Sequence, residues 1–289
     1  MKEAQFMNDP TFQDKYIDKI ICGDNLEVMA AFPDECVDLV VTSPPYDNLR
    51  DYHGYTLDVP AMVVELWRIM KPGGVIVWVV GGATINGSET GTSFRQALTF
   101  MDAGFNLHDT MIWDKGACRY PETNRYYPSF EYMFCFSKGK PVIAILIADR
   151  LNIWAGNKLA RPSAIRKADG TMSENSAWRK DKDGRRGAYG VRFNIWRCDT
   201  SSTQGDKTSL AHPASFPDKL AADHIRSWSN VGGIVLDPMC GSGTTCKMAL
   251  KLDRHYIGID VSEEYCKIAR ERIRIENSQL KLDLKAGAE

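Results

Sequence analysis

Apolar and polar positions along the 289-residue chain follow two periods, and these predict strands and helices in alternation. Nearly continuous apolar runs such as Val75–Val80 are typical of buried strands, whereas apolar residues three and four apart, as in Val59–Met70, predict helices. The pattern predicts strands at Ile17–Cys22, Val37–Val41, Val75–Val80, Met111–Trp113, Tyr132–Phe136, Ile234–Leu236 and Tyr256–Ile259. It predicts helices at Leu26–Ala30, Val59–Met70, Ser93–Ala103, Phe216–Trp228, Thr244–Leu252 and Ser262–Glu276. This alternation favours a doubly wound α/β fold.

The alternation stops after about residue 148, and residues 149–207 carry little periodicity but many charges. This segment holds 13 Lys and Arg against 7 Asp and Glu, a net charge of +6, so the remainder of a chain with net charge −1 carries −7. Trp154, Trp178, Tyr189 and Trp196 are interleaved with the basic residues. Such a patch is what a nucleic-acid partner needs, and a solvated connector is the alternative interpretation.

Composition indicates the kind of protein and the compartment in which we expect it, but it does not indicate the reaction. The hydrophobic content of 44% is enough for a sizeable core, and the apolar runs are too short to span a bilayer. Residues 1–16 are expected to be a loose arm and lack the apolar core of a signal peptide. The eight cysteines show no spacing typical of a zinc site, so we expect a reduced, cytoplasmic protein without a metal.

The segment Val235–Thr245 combines a strand, a glycine turn and the start of a helix. Gly241 and Gly243 allow the backbone to approach a ligand closely, and the helix N-terminus offers unpaired N–H groups. The next predicted strand ends at Asp260, where a carboxylate is placed to bind ribose hydroxyls. These features predict a cofactor that carries a ribose.

Three kinds of cofactor compete for this turn. A dinucleotide fingerprint needs Gly or Ala at the position of Cys246, and a phosphate-binding loop needs Ser or Thr after Lys247, where Met248 stands. The acidic Asp237 at the start of the turn suits a cation better than a pyrophosphate. S-adenosylmethionine, which carries an ammonium and a sulfonium group, fits this chemistry.

A second polar loop follows the strand Val37–Val41 and reads Ser43-Pro44-Pro45-Tyr46. Neither proline has an N–H group and both have a fixed φ, so the loop presents carbonyl groups, a hydroxyl and an aromatic face in a preset geometry. Such a loop can accept hydrogen bonds from an amino group while it stacks on a flat ring. A Pro-Pro turn that only ends a strand is the alternative.

Several motifs in one order give the chain a resemblance to the β-class (permuted) amino-DNA methyltransferases of the N4-cytosine/N6-adenine family. The motifs are Gly23-Asp24-Asn25-Leu26-Glu27, Ser43-Pro44-Pro45-Tyr46, the segment Arg125–Lys138 with Glu131-Tyr132 and Phe136-Ser137-Lys138-Gly139, His212-Pro213 with Phe216-Pro217, Asp237–Thr245 with Met239 in place of the usual Phe, and Gly258-Ile259-Asp260. The order of catalytic motif, recognition region and cofactor motif is typical of the β arrangement.

The resemblance implies a circularly permuted class I methyltransferase fold, with a doubly wound mixed sheet of seven strands and an inserted target-recognition region. It divides the chain into a catalytic half (1–148), the insert (149–207) and a cofactor-binding half (208–289) of the same domain. It assigns catalysis to Ser43, Pro44, Pro45 and Tyr46, with Tyr127 or Phe130 as a second aromatic wall for the target base. It assigns S-adenosyl-L-methionine binding to Asp24, His212, Phe216, Asp237, Pro238, Met239, Gly241, Gly243, Thr244 and Asp260.

Double-stranded DNA is the partner that follows from this resemblance, and no membrane partner is expected. The basic residues predicted to contact DNA are Arg50, Arg179, Lys180, Arg185 and Arg186. A homodimer and a cognate restriction endonuclease are open as further partners, and the gene can be bacterial, archaeal or phage-encoded.

Ser43 bears on which base is methylated. In this family a Ser at that motif position is associated with cytosine N4 and an Asp with adenine N6, so cytosine N4 is favoured and adenine N6 is the alternative. A C5-cytosine enzyme would need a Pro-Cys nucleophile, which the chain lacks. A protein glutamine methyltransferase normally has Asn before Pro-Pro-Tyr and the cofactor motif first. The intact Ser43–Tyr46 loop, Asp237 and Asp260 oppose a non-catalytic DNA-binding relative.

Overall fold

The computed structural model describes residues 10–45, 57–116, 123–157, 164–167, 169–174, 186–199 and 216–286. The strands are β1 (Lys19–Cys22), β2 (Val37–Thr42), β3 (Met70–Val80), β4 (Thr84–Ile85), β5 (Ser88–Glu89), β6 (Asn106–Asp114), β7 (Phe130–Ser137), β8 (Arg150–Leu151), β9 (Ala164–Arg166), β10 (Met172–Glu174), β11 (Tyr189–Gly190), β12 (Ile195–Arg197), β13 (Ile234–Asp237) and β14 (His255–Asp260). The helices are α1 (Pro10–Tyr16), α2 (Asn25–Ala30), α3 (Val59–Ile69), α4 (Thr92–Asp102), α5 (Asp218–Trp228), α6 (Thr244–Lys251) and α7 (Glu263–Ala286).

A mixed sheet of eight strands organises the fold, in the order β1-β14-β13-β2-β3-β7-β6-β12. Strand β7 is antiparallel to β3 and β6, and every other neighbouring pair is parallel. This confirms the predicted mixed α/β fold, although the described residues contribute eight strands rather than seven. The additional strand is β12, which pairs with Ile112–Asp114 at one edge. Three residues are too few for a periodic pattern to separate a strand from irregular sequence.

The central strands are buried because helices cover the sheet. Helices α2, α3 and α4 pack in one group and α5, α6 and α7 in another, as a doubly wound sheet requires. Every residue of Val75–Val80 is buried, in agreement with its continuous apolar run. The Trp78 indole N–H donates to Gln96 Oε1 at 2.9 Å, and Phe100 stacks on Phe136 with ring centroids 4.4 Å apart. No helix in the described parts of the chain is long and apolar enough to cross a membrane.

The N-terminal arm is more ordered than predicted. Residues 10–16 form α1, and its Phe12 and Tyr16 are buried against Phe32 at ring-centroid distances of 5.4 and 4.9 Å. The prediction of a loose arm is therefore wrong for this helix. Two aromatic residues in an otherwise polar segment give too weak a periodicity to predict a helix, and only the tertiary contact with Phe32 orders them.

The segment Lys71–Gly74, which follows the predicted helix Val59–Met70, lies within β3. The helix ends at Ile69, and the strand begins at the next residue. The β2–β3 register shifts between Val37 and Leu39, so the Pro-Gly-Gly sequence is accommodated at an irregular part of the ladder. The predicted helix therefore ends within one residue of the observed helix, but no loop separates the helix from the strand.

Residues Leu146–Phe193 form a second compact unit, distinct from the sheet unit built by Met1–Ile145 and Asn194–Glu289. Among its described residues, regular structure is limited to two short antiparallel pairs, β8 with β11 and β9 with β10. The unit holds 11 Lys and Arg against 5 Asp and Glu, and we call it the basic unit. The predicted insert, 149–207, extends further and includes β12, which belongs to the large sheet. Its role in target recognition stays a prediction.

Candidate active site

Four neighbouring strands deliver the predicted site residues to one edge of the sheet. Strands β1, β14, β13 and β2 are adjacent and parallel, so their carboxyl ends lie side by side. Open α/β sheets bind ligands in the crevice outside these strand ends. The topology therefore brings together four groups that are distant in sequence, namely Asp24, Ser43–Pro45, Asp237 and Asp260.

The turn after β13 needs glycine at two positions. Gly241 and Gly243 have φ values of 49° and 77°, in the left-handed region that other residues rarely adopt. At Gly243 a Cβ would also lie 2.7 Å from Ala269 Cβ of α7, so close packing excludes any side chain. Gly243 leads directly into α6, which places the N-terminus of this helix at the carboxyl edge of the sheet. A helix N-terminus with such a close backbone approach is a ready ligand site.

Asp260 at the tip of β14 holds the glycine turn in place. Its two carboxylate oxygens accept the N–H groups of Gly241 at 2.8 Å and Ser262 at 2.9 Å. Burial raises the pKa of this carboxyl group, and the two N–H groups oppose the increase. Each carboxylate oxygen has a second lone pair, so Asp260 can accept ribose hydroxyls while it holds the turn.

Asp237 joins the glycine turn to the strand that carries the Pro-Pro loop. Its buried carboxylate accepts the Thr42 hydroxyl at 2.7 Å and a backbone N–H of the turn at 3.2 Å. Burial raises the pKa of Asp237 to about 6 despite these hydrogen bonds. The Thr245 hydroxyl adds a second tie, because it donates to the Val41 carbonyl at 2.9 Å. The end of β2 is thus fixed against the turn immediately before Ser43.

Asp24 caps helix α2 at the end of the neighbouring strand β1. Its Oδ1 accepts the N–H groups of Leu26 at 2.8 Å and Glu27 at 3.2 Å. The buried Asn25 donates from Nδ2 to the Pro238 carbonyl at 3.3 Å, which links this helix to the glycine turn. The Gly-Asp-Asn motif therefore has a local structural role. The predicted approach of Asp24 to the cofactor adenine, like the predicted contact of Asp237 with a cationic group, stays a prediction.

The structure describes part of the predicted site. Pro44 is buried, and Ser43 and Pro45 are half-buried, directly after β2. Phe216 is buried just before α5, and Arg186 lies in the basic unit. The turn and the start of α6 contain the predicted Pro238, Met239, Gly241, Gly243 and Thr244. Outside the described residues lie Tyr46, Arg50, Arg179, Lys180, Arg185 and His212, whose roles stay predictions.

Arg272 of α7 is a site residue that the sequence analysis missed. It is 4% exposed, and its Nη1 donates to the Ser242 carbonyl at 2.6 Å, the Ser242 hydroxyl at 2.9 Å and the Thr244 hydroxyl at 3.1 Å. Its Nη2 lies 3.6 Å from one Asp218 oxygen, and Lys247 Nζ donates to the other at 2.6 Å. This largely buried network holds the glycine turn, α5 and α6 on α7.

One sequence signal could have revealed this arginine. Cys266, Ala269 and Ile273 are buried at helical spacing along α7, and Arg272 follows Ala269 by three residues on the same face. A charge at a core-facing position needs partners, because burying it unpaired is costly. The identity of those partners could not be read from the helix itself.

Antiparallel strand β7 brings aromatic side chains to the same edge of the sheet. Because β7 runs against β3, its first residues lie at the carboxyl end of β3, where Val80 pairs with Tyr132. Phe130 is 46% exposed and packs edge-to-face on Tyr132 at 5.4 Å between ring centroids. Of the two predicted aromatic walls, Phe130 is therefore placed at the ligand edge, and Tyr127 is exposed in the segment before the strand.

Among the described residues, Cys22, Glu263 and Cys266 bring three potential metal ligands within 4.8 Å of one another. Burial raises the pKa of the Cys266 thiol to about 12, and Glu263 already pairs with Arg270 at 3.1 Å. A protonated thiol and a carboxylate bound to arginine are poor ligands. We therefore assign no metal to this group.

Comparisons with known proteins agree with this geometry. The N6_N4_Mtase family, described as DNA methylase, matches residues 37–271. The chain is 53% identical over 240 residues to the orphan methyltransferase M.BamHII of Bacillus amyloliquefaciens, across 82% of this chain and 89% of that protein.

Two solved structures share the fold. One is a Thermus thermophilus protein, provisionally described as a DNA modification methylase and complexed with S-adenosyl-L-methionine, with a TM-score of 0.58, 25% identity and coverage of 89% of this chain and 95% of that one. The other is the cytosine-N4-specific PvuII DNA methyltransferase, with a TM-score of 0.63, 21% identity and coverage of 89% of each chain.

The fold and the site thus define an S-adenosylmethionine-dependent methyltransferase, which confirms the predicted fold class and cofactor. The chain belongs to the DNA methylase family of N6- and N4-specific enzymes and is a site-specific DNA methyltransferase. Because this family covers both adenine N6 and cytosine N4, membership does not decide the base.

Proposed function

We propose that the protein methylates the exocyclic N4 amine of cytosine in double-stranded DNA, with adenine N6 as the second candidate. The position of Ser43 carries this proposal. It follows Thr42, whose hydroxyl donates to the Asp237 carboxylate at 2.7 Å, and this supports the proposal that Ser43 accepts the amine beside the glycine turn. The association of Ser at this motif position with cytosine N4 then favours that base.

The Ser43–Tyr46 loop activates and positions the amine in this proposal. An exocyclic amine is a poor nucleophile because its lone pair is delocalised into the base ring. The Ser43 hydroxyl and the Pro44 carbonyl accept its two N–H groups, which favours a pyramidal nitrogen and fixes its direction of attack. Tyr46 stacks on the flipped base, and Phe130 offers a second aromatic surface. No covalent intermediate with the protein is required.

The proposed cofactor site is the crevice between the glycine turn and the tips of β1 and β14. The residues proposed to line it are Asp24, His212, Phe216, Asp237, Pro238, Met239, Gly241, Gly243, Thr244 and Asp260. The fit rests on Gly243, where close packing on Ala269 excludes a side chain, and on Asp260, whose oxygens keep free lone pairs for hydroxyls. When bound, S-adenosylmethionine supplies a methyl group on a positively charged sulfur.

Partners and setting follow from DNA as the substrate. We propose that Arg50, Arg179, Lys180, Arg185 and Arg186 contact its phosphates, and that the enzyme acts in the cytoplasm of a bacterial, archaeal or phage-infected cell. A homodimer and a cognate restriction endonuclease are further candidates, which size measurement and gene context can test.

One labelling experiment tests the reaction and the base together. The protein is incubated with methyl-labelled S-adenosylmethionine and unmethylated genomic DNA, and the DNA is digested to nucleosides. Labelled N4-methylcytosine is expected, and labelled N6-methyladenine would select the second candidate. Label in protein rather than DNA would contradict both. A Tyr46→Ala variant should lose turnover but retain cofactor binding, because its proposed contact is with the base alone.

A further inference from the structure

The basic unit has no hydrophobic core of its own among its described residues. Every residue of Leu146–Phe193 whose burial the structure describes is exposed or half-buried. Its exposed large side chains include Leu151, Ile153, Trp154 and Tyr189. Burial of apolar surface is the dominant stabilising contribution in a domain, and exposed apolar surface on a small unit marks an interaction site.

One turn of this unit, residues 152–157, carries two exposed apolar side chains and is held to a neighbouring segment by hydrogen bonds. The Asn152 N–H donates to the Ala188 carbonyl at 2.9 Å. The Gly156 N–H donates to the Arg186 carbonyl at 2.9 Å, and the Arg186 N–H donates to the Asn157 carbonyl at 3.1 Å. The Asn152 side chain adds a bond of 2.8 Å to the carbonyl of residue 187. Ile153, 90% exposed, and Trp154, 61% exposed, project from this turn.

The net charge of the basic unit indicates which kind of partner it binds. With 11 Lys and Arg against 5 Asp and Glu, the basic unit carries +6, while the rest of the chain carries −7. A polyanion is attracted to the unit and repelled by the remainder. A second copy of the chain that met this face with its own basic unit would bring two charges of +6 together, which disfavours self-association through it.

We propose that the turn of residues 152–157 inserts Trp154, with Ile153 beside it, between bases of the DNA substrate. Apolar wedges enter base steps in proteins that open or kink a duplex, and aromatic side chains stack on unpaired bases of any sequence. Arg186 at the foot of the turn lies where a phosphate contact would hold the wedge in register. This proposal depends on the proposed function, in which DNA is the substrate. It adds the residues that would hold the DNA.

The test compares Trp154→Ala and Trp154→Phe with the wild type. The DNA probe is a fluorescein-labelled duplex that carries the methylated site mapped by sequencing DNA from a host expressing the chain. Loss of one stacked base predicts a rise in Kd of about tenfold for Trp154→Ala, and Trp154→Phe should return to within about threefold of the wild type. Quenching of tryptophan fluorescence on DNA binding should fall in Trp154→Phe, because the stacked indole is gone.

Controls separate this proposal from the proposed function. Leu282→Ala removes an equally exposed apolar side chain from α7 and should leave DNA affinity unchanged. Binding of S-adenosylmethionine should be unchanged in all variants. If the wild type methylates DNA and Trp154→Ala binds it with wild-type Kd, the wedge is wrong but the function stands. If the wild type methylates no DNA, the function is wrong. If Trp154→Ala only converts a dimer to a monomer, the surface binds a second copy.

Should Trp154→Ala fail to fold, the quenching measurement on Trp154→Phe still decides. Unchanged quenching in that variant would mean that Trp154 does not stack on bases.

Discussion

The sheet unit and the basic unit of this protein differ in burial, in hydrogen bonding and in net charge. In the sheet unit, strands such as Val75–Val80 are fully buried, and buried polar groups such as Asp237 and Arg272 have hydrogen-bond partners. In the basic unit no described residue is buried, and the order comes from short backbone pairs. The first carries a net charge of −7 and the second +6.

This difference assigns separate tasks to the two units. A densely packed core can hold the glycine turn and the Pro-Pro loop in a fixed geometry, which methyl transfer requires. A unit whose described residues form no buried core gains order from the surface it contacts, and a positive unit gains most from a polyanion. We therefore expect the rate of methyl transfer to fall when packing in the sheet unit is broken. We expect the affinity for DNA to fall when positive charge is removed from the basic unit.

The largest effect is expected where the sheet unit buries a charge. Arg272→Met leaves Asp218 and the Ser242 carbonyl without their arginine, and breaking a buried charged network costs about 3–5 kcal/mol in the free energy of unfolding. Urea denaturation measures this loss, and the Kd for S-adenosylmethionine should rise as the turn loosens. Arg274→Met is the matched control, since this residue lies on the exposed face of α7 and pairs with neighbouring Glu271 at 2.8 Å. Equal stability of the two variants would contradict the network.

The buried Asp237 gives the sheet unit a defined dependence on pH. Because its pKa is raised from 3.8 to about 6, the folded protein keeps a proton between these values that the unfolded chain has released. Its contribution to stability therefore falls as pH rises through this window, by about 3 kcal/mol in total. Asp237→Asn cannot ionise, so on going from pH 4 to pH 7 the wild type should lose about 2 kcal/mol of unfolding free energy relative to this variant.

The control for this pH dependence is Asp102→Asn, which replaces an exposed carboxyl group. The unfolding free energy of this variant should change with pH as it does in the wild type. A wild-type curve that matched Asp237→Asn between pH 4 and pH 7 would show that Asp237 does not keep its proton in the folded protein.

Ser43→Ala tests whether the geometry of the sheet unit serves catalysis. Loss of one positioned acceptor should lower kcat by about 100-fold, as for other single groups that stabilise a transition state. The Kd for S-adenosylmethionine should stay within about twofold of the wild-type value, because the substitution leaves the glycine turn unchanged. Methyl transfer to genomic DNA under single-turnover conditions measures the rate, with Ser88→Ala in the exposed β4–β5 hairpin as control. An unchanged rate in Ser43→Ala would remove this residue from the mechanism.

The smallest effect, and the one specific to the basic unit, is on salt dependence. Replacing Arg185 and Arg186 by Gln should reduce the slope of log K for DNA against log salt by about 2, since each phosphate contact contributes about 0.9. The control is the pair Lys267→Gln and Lys281→Gln on the exposed face of α7, which should leave the slope unchanged. Equal slopes in both double variants would mean that charge in the basic unit does not hold DNA.

Elements with strong local patterns could be predicted from the sequence. Strand Val75–Val80 was visible because a central strand is apolar without interruption, and the glycine turn because positive φ and close packing both demand glycine. Helix α1 and strand β12 were missed, since each depends on contacts with distant residues. The bounds of the basic unit, Leu146–Phe193, do not follow from charge density, because charged residues continue past its end. The target-recognition insert at 149–207 stays a prediction.

By itself, then, the sequence determined the α/β order, the glycine turn, the Ser-Pro-Pro-Tyr motif and the family. The first three depend on neighbouring residues in the chain, and the family depends on the order in which the motifs follow one another. Only the tertiary structure decided how these parts are held together. The Thr42–Asp237 hydrogen bond joins residues 195 positions apart, and Arg272 reaches the turn from another helix. Such contacts depend on which strands are adjacent in the sheet, and no local pattern of residues encodes that adjacency.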